Sequence, residues 1–387
     1  MKYPFIFIAA LISWGASTAQ PGVNVHKEMQ FAKEQYTLML QSHPDLTQFP
    51  QSVNQDGSIL NRESSWWCSG FFGGALWYIY EYTKDERFKV AAHKWTMAVE
   101  KEKHNTTTHD LGFMLYCPFG NGYRLTGNET YKSILLEGAA SLATRFNPSV
   151  GLIKSWEQFR DSFDYPVIID NMMNLEFLLW AARQSGNKKF RDISIQHADN
   201  TLKNHFRKDN SSYHVVCYDG NGKVLAKKTA QGAADESAWA RGQAWGLYGY
   251  TMMYRETGDK KYLQQAEAIA QFIMHHPNLP KDKVPYWDFN APLIPHEERD
   301  VSAAAIISSA LLELYSMTKF KAYFTTAEDI LVSLSGLEYK SSLGENQHFL
   351  LKHSVGSKPE NSEVDTPIIY ADYYYLEALL RYSRIKA

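Results

Sequence analysis

A short turn that recurs along the chain constrains the fold more than any other sequence feature. Each copy has a residue able to end one helix, then in most copies an Asp or Asn able to cap the next, and an aromatic residue that can pack over the corner. The copies lie at residues 83–88, 126–131, 185–190 and 257–262, with a looser one at 318–323. The chain is therefore predicted to repeat one unit, the helical hairpin.

Apolar residues recur with helical spacing over most of the remaining sequence. The pattern predicts twelve helices, at residues 24–43, 68–83, 86–102, 110–117, 128–145, 170–185, 188–205, 240–256, 260–275, 300–316, 320–335 and 371–384. Because the intervals between the turns are irregular, an open tetratricopeptide-like superhelix is disfavoured. We therefore expect an all-α fold, the (α/α)6 barrel, which is a toroid of six helical hairpins. Strands are expected only in loops, as a β-hairpin at residues 213–218 before the turn at 219–222.

In such a barrel, alternate helices form an inner ring and all run in the same direction. Their N-termini then converge on one mouth of the barrel. The six inner helices are predicted to begin near Ser69, His109, Asp170, Arg241, Arg299 and Asp372. The unusual polar residues of the sequence cluster at these positions, so the functional site is expected at that mouth.

Residues 1–19 have the layout of a cleaved secretory signal peptide. Lys2 precedes an apolar stretch at residues 4–14, and small residues follow at Ser17 and Ala19. Cleavage is expected before Gln20, which leaves residues 20–387 as a single (α/α)6-barrel domain. The apolar stretch is too short for a membrane anchor, and none is expected later in the chain. The protein is thus predicted to be exported.

Composition narrows the class of partner. A net charge of −2 argues against nucleic acid, because phosphate binding needs a basic surface. The chain carries 24 Tyr and 10 Trp, whose flat apolar faces and polar edges suit sugar rings. These numbers favour a carbohydrate-binding groove, although any single aromatic residue is more often packed in a core.

Several other kinds of site are not supported by the sequence. The three cysteines, at positions 68, 117 and 217, form no metal or redox motif, and a single disulfide among them stays open. The GxSxG elbow of serine hydrolases, the HExxH motif of zinc proteases and the phosphate-loop motif do not occur. The His-Glu-Glu run at residues 296–298 has no second His at helical spacing. The sequence thus predicts neither a metal nor a cofactor.

Two aspartates differ from the ordinary helix cap, which is the usual role of Asp at a helix N-terminus. Asp110 follows His109, and Asp170 follows the apolar run at residues 167–169. Two carboxyl groups that face each other in a partly apolar cavity acquire separate pKa values, which supplies an acid and a base at one pH. Since a helix N-terminus alone would lower a carboxyl pKa, the acid would need burial and the charge of its neighbour.

Seven sequence blocks, in order along the chain, resemble the unsaturated glucuronyl hydrolases of glycoside hydrolase family 88. They are residues 67–72, 109–113, 169–174, 241–246, 286–289, 299–305 and 372–378. The resemblance implies an (α/α)6 barrel that hydrates a vinyl ether. Its substrate would carry a 4,5-unsaturated uronic acid at the non-reducing end, left by a polysaccharide lyase acting upstream, and the family's role suggests a periplasmic enzyme.

The resemblance also implies roles for individual residues. Asp170 would be the general acid/base, and Asp110 would orient substrate hydroxyls and keep the pKa of Asp170 high. The residues expected to bind substrate are Gln231 and Arg241 at the uronate carboxylate, His109 and His214 as hydrogen-bond partners, and Trp67, Trp156 and Trp239 as stacking surfaces. For Trp239, packing beside Arg241 is the alternative. His353 and Lys358 fall where the family contacts the second sugar, and their cations could meet a sulfate or simply be solvated.

Three other functions remain open from the sequence. An unsaturated rhamnogalacturonyl hydrolase would share the barrel and chemistry but act on pectin fragments. A non-catalytic glycan-binding protein would use the aromatic residues without needing both Asp110 and Asp170. A polysaccharide lyase on a similar toroid would create the double bond rather than remove it. The parent polysaccharide and the oligomeric state are not determined by the sequence.

Overall fold

Helical hairpins dominate the computed structural model, which describes residues 22–387. The predicted signal peptide lies outside these residues. The α-helices of the described part are α1 (Val25–Ser42), α2 (Ser69–Thr83), α3 (Glu86–Ala98), α4 (Asn121–Thr126), α5 (Glu129–Ala143), α6 (Leu175–Ser185), α7 (Lys188–Asn204), α8 (Ala240–Thr257), α9 (Lys260–His275), α10 (Val301–Thr318), α11 (Lys321–Leu334) and α12 (Ile369–Lys386).

Alternate elements form a closed inner ring. In order around the barrel they are α2, a π-helical segment at Gly112–Gly120 that runs into α4, a 3-10 turn at Ile169–Asn174 that runs into α6, and then α8, α10 and α12. Each packs on the next, and α12 packs back on α2. Helices α1, α3, α5, α7, α9 and α11 lie outside this ring. The predicted (α/α)6 barrel is confirmed, and the inner elements begin within a few residues of the predicted positions.

The repeated turns have the predicted caps and one further shared feature. Left-handed residues end the inner helices, and they are Lys84, Gly127, Gly186, Gly258 and Lys319. A hydroxyl just before each corner makes two hydrogen bonds. Thr257 Oγ1, for example, donates to Met253 O (2.6 Å) and accepts from Asp259 N (3.2 Å). Asp259 then caps α9, so the sequence motif encodes the whole corner.

Two inner elements depart from the predicted regular helices. The predicted helix at 110–117 is instead the π-helical segment, which contains Pro118 and continues into α4. Pro118 has no N–H to donate, and the N–H of Gly112 is used by Asn174 Oδ1 (2.8 Å), so the regular α-helical ladder is interrupted at both ends. The predicted helix at 170–185 begins as the 3-10 turn and becomes α-helical only at Leu175.

Within residues 22–387, nine short strands lie in the connections between helices. They are β1 (Phe49–Val53), β2 (Ile59–Arg62), β3 (Phe146–Asn147), β4 (Leu152–Ile153), β5 (Tyr165–Ile168), β6 (Val215–Tyr218), β7 (Val224–Lys228), β8 (Ser354–Ser357) and β9 (Ser362–Thr366). The predicted hairpin is confirmed as β6–β7, and β5 adds a third antiparallel strand to it. The β1–β2 and β8–β9 hairpins were missed because both contain register shifts that break the alternating pattern.

The cysteines and the long apolar helix α10 both lie in the core. All three cysteines are buried and free, so the disulfide that the sequence left open is not formed. The expectation that no later apolar stretch reaches membrane length was wrong for α10, which is long and apolar enough by length and composition alone; 78% of that stretch is buried inside the structure.

Candidate active site

Two neighbouring inner elements bring Asp110 and Asp170 to the same mouth of the barrel. Asp110 lies two residues before the π-helical segment, and Asp170 is the second residue of the 3-10 turn. The two elements pack against each other. They approach so closely at Gly112 that a Cβ there would lie 2.5 Å from Asn174 Oδ1. Glycine is therefore required at this position by the contact that sets the spacing of the two aspartates.

Asp170 has the electrostatic character of an acid at neutral pH. Its side chain is buried, with 8% of the residue exposed, and its Oδ2 has no hydrogen-bond partner. The pKa of Asp170 is raised to about 7, mainly by burial; the Arg241 guanidinium opposes the rise and the Asp110 carboxylate adds to it. The group is thus poised to exchange a proton near pH 7.

The other two aspartates at this mouth, Asp300 and Asp372, accept hydrogen bonds from the protein itself. Asp300 Oδ1 accepts from the N–H groups of Ser302 (3.0 Å) and Ala303 (3.4 Å), which caps α10. Asp372 accepts from two backbone N–H groups and from the Tyr36 hydroxyl, so it anchors a loop although burial raises its pKa to about 7 as well. The capping alternative therefore holds for Asp300, whereas Asp170 caps no helix with its side chain.

His214 presents a fixed N–H toward Asp170. Its Nδ1 accepts from the backbone N–H groups of Ala230 (3.1 Å) and Gln231 (3.2 Å), so the ring proton of the neutral side chain is on Nε2. Nε2 lies 3.8 Å from Asp170 Oδ2. Burial and the charge of Arg241 lower the pKa of His214 to about 3, which keeps the ring neutral. His214 is thus a donor that can stabilise the Asp170 carboxylate.

His109 has the corresponding position beside Asp110. Its Nε2 lies 3.3 Å from Asp110 Oδ1, and burial lowers the pKa of the ring. On the other side, Thr108 Oγ1 donates to Asp110 Oδ2 (2.8 Å). Asp110 is more exposed than Asp170, so it remains open to a ligand at the mouth.

Arg241 is buried, and most of its donors are already used. Nη1 donates to Asp300 Oδ2 (3.3 Å) and to Val355 O, and Nη2 donates to Gly356 O (2.6 Å). Gln231 Nε2 donates to the same Gly356 carbonyl (2.9 Å). Of the five guanidinium donors, Nε–H and one proton of Nη2 remain, and Nε has no partner. Arg241 therefore cannot bind a carboxylate through both terminal amino groups at once. The donors that remain for a carboxylate are Nε–H and one Nη2–H.

The three predicted stacking residues differ in exposure. Trp67 and Trp156 are half-buried, and Trp67 packs edge-on against Phe113 (5.4 Å between ring centres). Trp239 is only 2% exposed and lies between the His214 ring (4.4 Å) and the Arg241 guanidinium (4.5 Å). Packing, the alternative for Trp239, fits this position better than stacking on a sugar.

His353 and Lys358 both contact carboxylates around the β8–β9 hairpin. His353 Nδ1 lies 2.6 Å from Asp365 Oδ1. Lys358 Nζ contacts Glu297 Oε2 (3.2 Å) and also Glu298. Neither side chain forms a hydrogen bond or salt bridge with Asp170 or Asp110, and each already has a carboxylate partner. The two residues flank β8, whose carbonyls hold Arg241.

Three residues of the site were not predicted from the sequence. Trp245 Nε1 and the Tyr370 hydroxyl are buried donors without partners, and the Trp245 indole faces Asp170. Asn174 contacts both His109 and Gly112. Trp245 and Asn174 lie inside the motif blocks, but a helical pattern alone marks all three as core residues. Among residues 22–387, no group of three or more His, Cys, Asp or Glu could hold a metal ion.

Comparison with known proteins identifies the family. The sequence profile described as Glycosyl Hydrolase Family 88 matches residues 42–252. A curated relative, the unsaturated glucuronyl hydrolase of Formosa agariphila, is 47% identical over 92% of this chain and 90% of its own length. The chain belongs to glycoside hydrolase family 88.

Solved structures of family 88 enzymes have the same fold. A crystal structure described as an unsaturated glucuronyl hydrolase specific for heparin is 51% identical, with a TM-score of 0.91, and covers 94% of this chain and 97% of its own. A variant of the Streptococcus agalactiae enzyme, complexed with dGlcA-GalNAc6S, is 28% identical, with a TM-score of 0.79, and covers 92% of this chain and 91% of its own. The predicted family, barrel and unsaturated glucuronyl hydrolase activity are confirmed.

Proposed function

We propose that this family 88 enzyme uses Asp170 as its general acid/base to remove 4,5-unsaturated uronic acid from glycosaminoglycan-derived oligosaccharides. One observation carries the assignment. Asp170 is a buried carboxyl group with a pKa raised to about 7 and an oxygen that the protein leaves unpartnered. An acid in this state can both give and take a proton near neutral pH, which hydration of a double bond requires.

The reaction then proceeds in three steps: protonation of C4, addition of water at C5 and opening of the resulting hemiketal. Protonated Asp170 gives its proton to C4 of the sugar, and positive charge develops at C5, next to the ring oxygen. The Asp170 carboxylate takes a proton from a water molecule, whose oxygen bonds to C5. The resulting hemiketal opens, and the neighbouring sugar leaves. Water is consumed, and Asp170 ends in its starting protonated state.

Neighbouring groups support both forms of Asp170. The negative charge of Asp110 favours the protonated acid, and the N–H groups of His214 and Trp245 are positioned to stabilise the carboxylate that forms. Asp110 and His109 would also bind hydroxyl groups of the unsaturated sugar. The N–H groups of His214 and Trp245 are already in place in the folded enzyme, so little rearrangement is needed during proton transfer.

Substrate binding is assigned to the groups that the protein leaves free. Trp67 and Trp156 would stack on the sugar rings at the mouth. The uronate carboxylate would meet Arg241 through Nε and the free proton of Nη2, with Gln231 beside it. His353 would contact the second sugar only if its contact with Asp365 is broken. Lys358 would do so only if its contacts with Glu297 and Glu298 are broken.

Heparin is the parent polymer that we propose. The support is the 51% identity and TM-score of 0.91 to the enzyme described as specific for heparin. Curated relatives described as unsaturated chondroitin disaccharide hydrolases are more distant, for example at 32% identity in Streptococcus agalactiae. The enzyme would act downstream of a heparin lyase, because only a lyase creates the double bond.

A panel of unsaturated disaccharides tests this function. Disaccharides made by lyases from heparin, chondroitin, hyaluronan and rhamnogalacturonan would be followed by loss of ultraviolet absorbance. We expect the highest kcat/KM on a heparin disaccharide. Preference for the rhamnogalacturonan product would indicate the pectin-acting relatives, binding without turnover would indicate a glycan-binding protein, and rising absorbance on intact polymer would indicate a lyase.

Export to the periplasm is also proposed, on the composition of residues 1–19. Sequencing the N-terminus of the enzyme from a periplasmic fraction should give Gln20. An intact Met1 in the cytoplasmic fraction would contradict the proposal.

A further inference from the structure

Asn174 connects the supports of the two aspartates. It is fully buried at the end of the 3-10 turn that carries Asp170. Its Oδ1 accepts from the N–H of Gly112 (2.8 Å), at the start of the element that follows Asp110. Since a backbone N–H is only a donor, this bond fixes which end of the Asn174 amide is oxygen and which is nitrogen.

The fixed amide decides the tautomer of His109. With Oδ1 used by Gly112, Asn174 presents Nδ2–H to His109 Nδ1 at 3.4 Å, so Nδ1 accepts. In the neutral ring the proton is then on Nε2. Nε2 lies 3.3 Å from Asp110 Oδ1. This neighbour of Nε2 is an acceptor, which agrees independently with a proton on that nitrogen.

We propose that Asn174 is a positioning residue that holds His109 as the Nε2–H tautomer and thereby keeps the Asp110 carboxylate oriented toward Asp170. This inference rests on the proposed roles of Asp110 and Asp170. Through the Gly112 bond, Asn174 also fixes the distance between the two elements. It touches neither the substrate nor the reacting atoms in the proposed mechanism, so its effect passes through His109.

The test replaces Asn174 with Asp. The Asn174→Asp variant keeps an acceptor for Gly112 but turns a second acceptor toward His109 Nδ1. His109 must then carry a proton on Nδ1, and Asp110 loses its neutral Nε2–H neighbour or faces an imidazolium. We expect kcat to fall about 10- to 100-fold, as misplaced catalytic groups typically produce.

The matched control is Asn121→Asp. Asn121 Nδ2 donates to Cys117 O (2.8 Å) and to the Tyr373 hydroxyl (3.2 Å) in the same barrel, away from both aspartates. The Asn121→Asp variant loses an amide donor comparable to that of Asn174, and its kcat should stay within twofold of wild type. Gly112→Ala, whose Cβ would push Asn174 away, should reproduce the loss of kcat.

The readout that separates positioning from mere structure is the tautomer itself. Nitrogen-15 NMR of enzyme labelled at histidine distinguishes the protonated from the unprotonated ring nitrogen, and His109→Gln identifies the His109 signals. Wild-type enzyme should show a proton on Nε2 only, and Asn174→Asp should show one on Nδ1. The proposal is overturned by an Nδ1–H tautomer in the wild type, by an unchanged tautomer in Asn174→Asp, or by a kcat within twofold of wild type in that variant.

Failure of the proposed function gives a different result. If Asp170→Asn keeps more than a tenth of the wild-type kcat, Asp170 is not the acid, whatever the NMR spectra show. If Asp170→Asn is inactive while Asn174→Asp is fully active, only the positioning role is lost. The wild-type spectrum remains decisive even where Asn174→Asp does not fold.

Discussion

At the scale of single residues, Asp170 is held in a state that is unfavourable for stability. Burial removes the carboxylate from water, and Oδ2 receives no hydrogen bond in return. A buried polar atom without a partner costs about 1–3 kcal/mol, and more when it is charged. The residue is therefore kept for its chemistry rather than for the fold.

Asp170→Asn should consequently be inactive yet more stable at alkaline pH. The folded pKa of Asp170, about 7, lies above its ordinary value of 3.8, so the native state binds more protons than the unfolded chain between these values. The stability that this group contributes is present at low pH and is lost as pH rises through about 7. Asparagine does not ionise, so the variant should exceed wild type in Tm at pH 8 while kcat falls at least about 10²-fold.

Asp372→Asn is the control for this prediction. Its pKa is also raised to about 7, but its oxygens accept from Leu350 N (2.8 Å), Leu351 N (3.1 Å) and Tyr36 (3.1 Å). An amide nitrogen would face at least one of these donors, so the variant should lose stability and keep the kcat of the folded fraction. A lower Tm for Asp170→Asn than for wild type at pH 8 would contradict the account.

The same protonation predicts the activity profile of the wild type. Since the protonated form of Asp170 starts the reaction, kcat should fall as pH rises above about 7. A kcat that keeps rising to pH 9 would exclude a group with this pKa as the acid.

At the scale of elements, the corner between paired helices is the unit that the sequence repeats. The helix-ending residue has a positive φ in every copy, and it is Gly in three of them, including Gly258 (φ 71°), but Lys at Lys84 and Lys319 (φ 60°). A side chain with a Cβ is strained in this region, whereas glycine is not. The two Lys corners are therefore not optimal.

Lys319→Gly should stabilise the protein by about 0.5–1 kcal/mol, since it removes this strain at the end of α10. Its ammonium lies 5.6 Å from the centre of the half-buried Tyr315 ring, and losing that weak contact offsets a small part of the gain. Gly258→Lys, the reverse change in an equivalent corner, should be destabilising. Urea unfolding of both variants measures the difference, and equal signs for the two would show that the corners are not equivalent.

At the scale of the whole molecule, the end of the barrel away from Asp170 is built differently from the catalytic mouth. A cavity of about 520 Å³ opens there, and its walls include Tyr116, Trp180 and Arg381. Arg381 pairs with Glu313 (2.7 Å) and Glu377 (3.5 Å), two carboxylates that are largely buried. An ion-pair network thus lines this end, whereas at the catalytic mouth Asp170 Oδ2 and Arg241 Nε are left without partners.

Arg381→Met should destabilise the barrel strongly without changing its chemistry. Removing the guanidinium leaves Glu313 with Arg255 as its charged partner and Glu377 with hydroxyl donors alone, and breaking a buried ion pair costs about 3–5 kcal/mol. We expect a lower midpoint in urea unfolding and an unchanged kcat per folded molecule at 25 °C. A fall in kcat with stability preserved would instead show that this network is coupled to Asp170.

The sequence by itself determined the barrel, because its information is local. Each corner lies within about six residues, each helix is marked by its own periodicity, and the order of the helices fixes which N-termini converge. Asp110 and Asp170 could be singled out for the same reason, since each stands directly at the start of an inner element. The hairpin at 213–218 was also visible, as alternation followed by a turn.

Only the tertiary structure decided what these residues can do. The donors left free on Arg241 depend on carbonyls 114 and 115 residues away, and the tautomer of His109 depends on Asn174, 65 residues away. The π-helical segment, β5 and the bulged β8–β9 hairpin likewise arise from contacts between distant parts of the chain. Burial and hydrogen-bond partners set pKa values and proton positions, and no local pattern records which groups the closed barrel brings together.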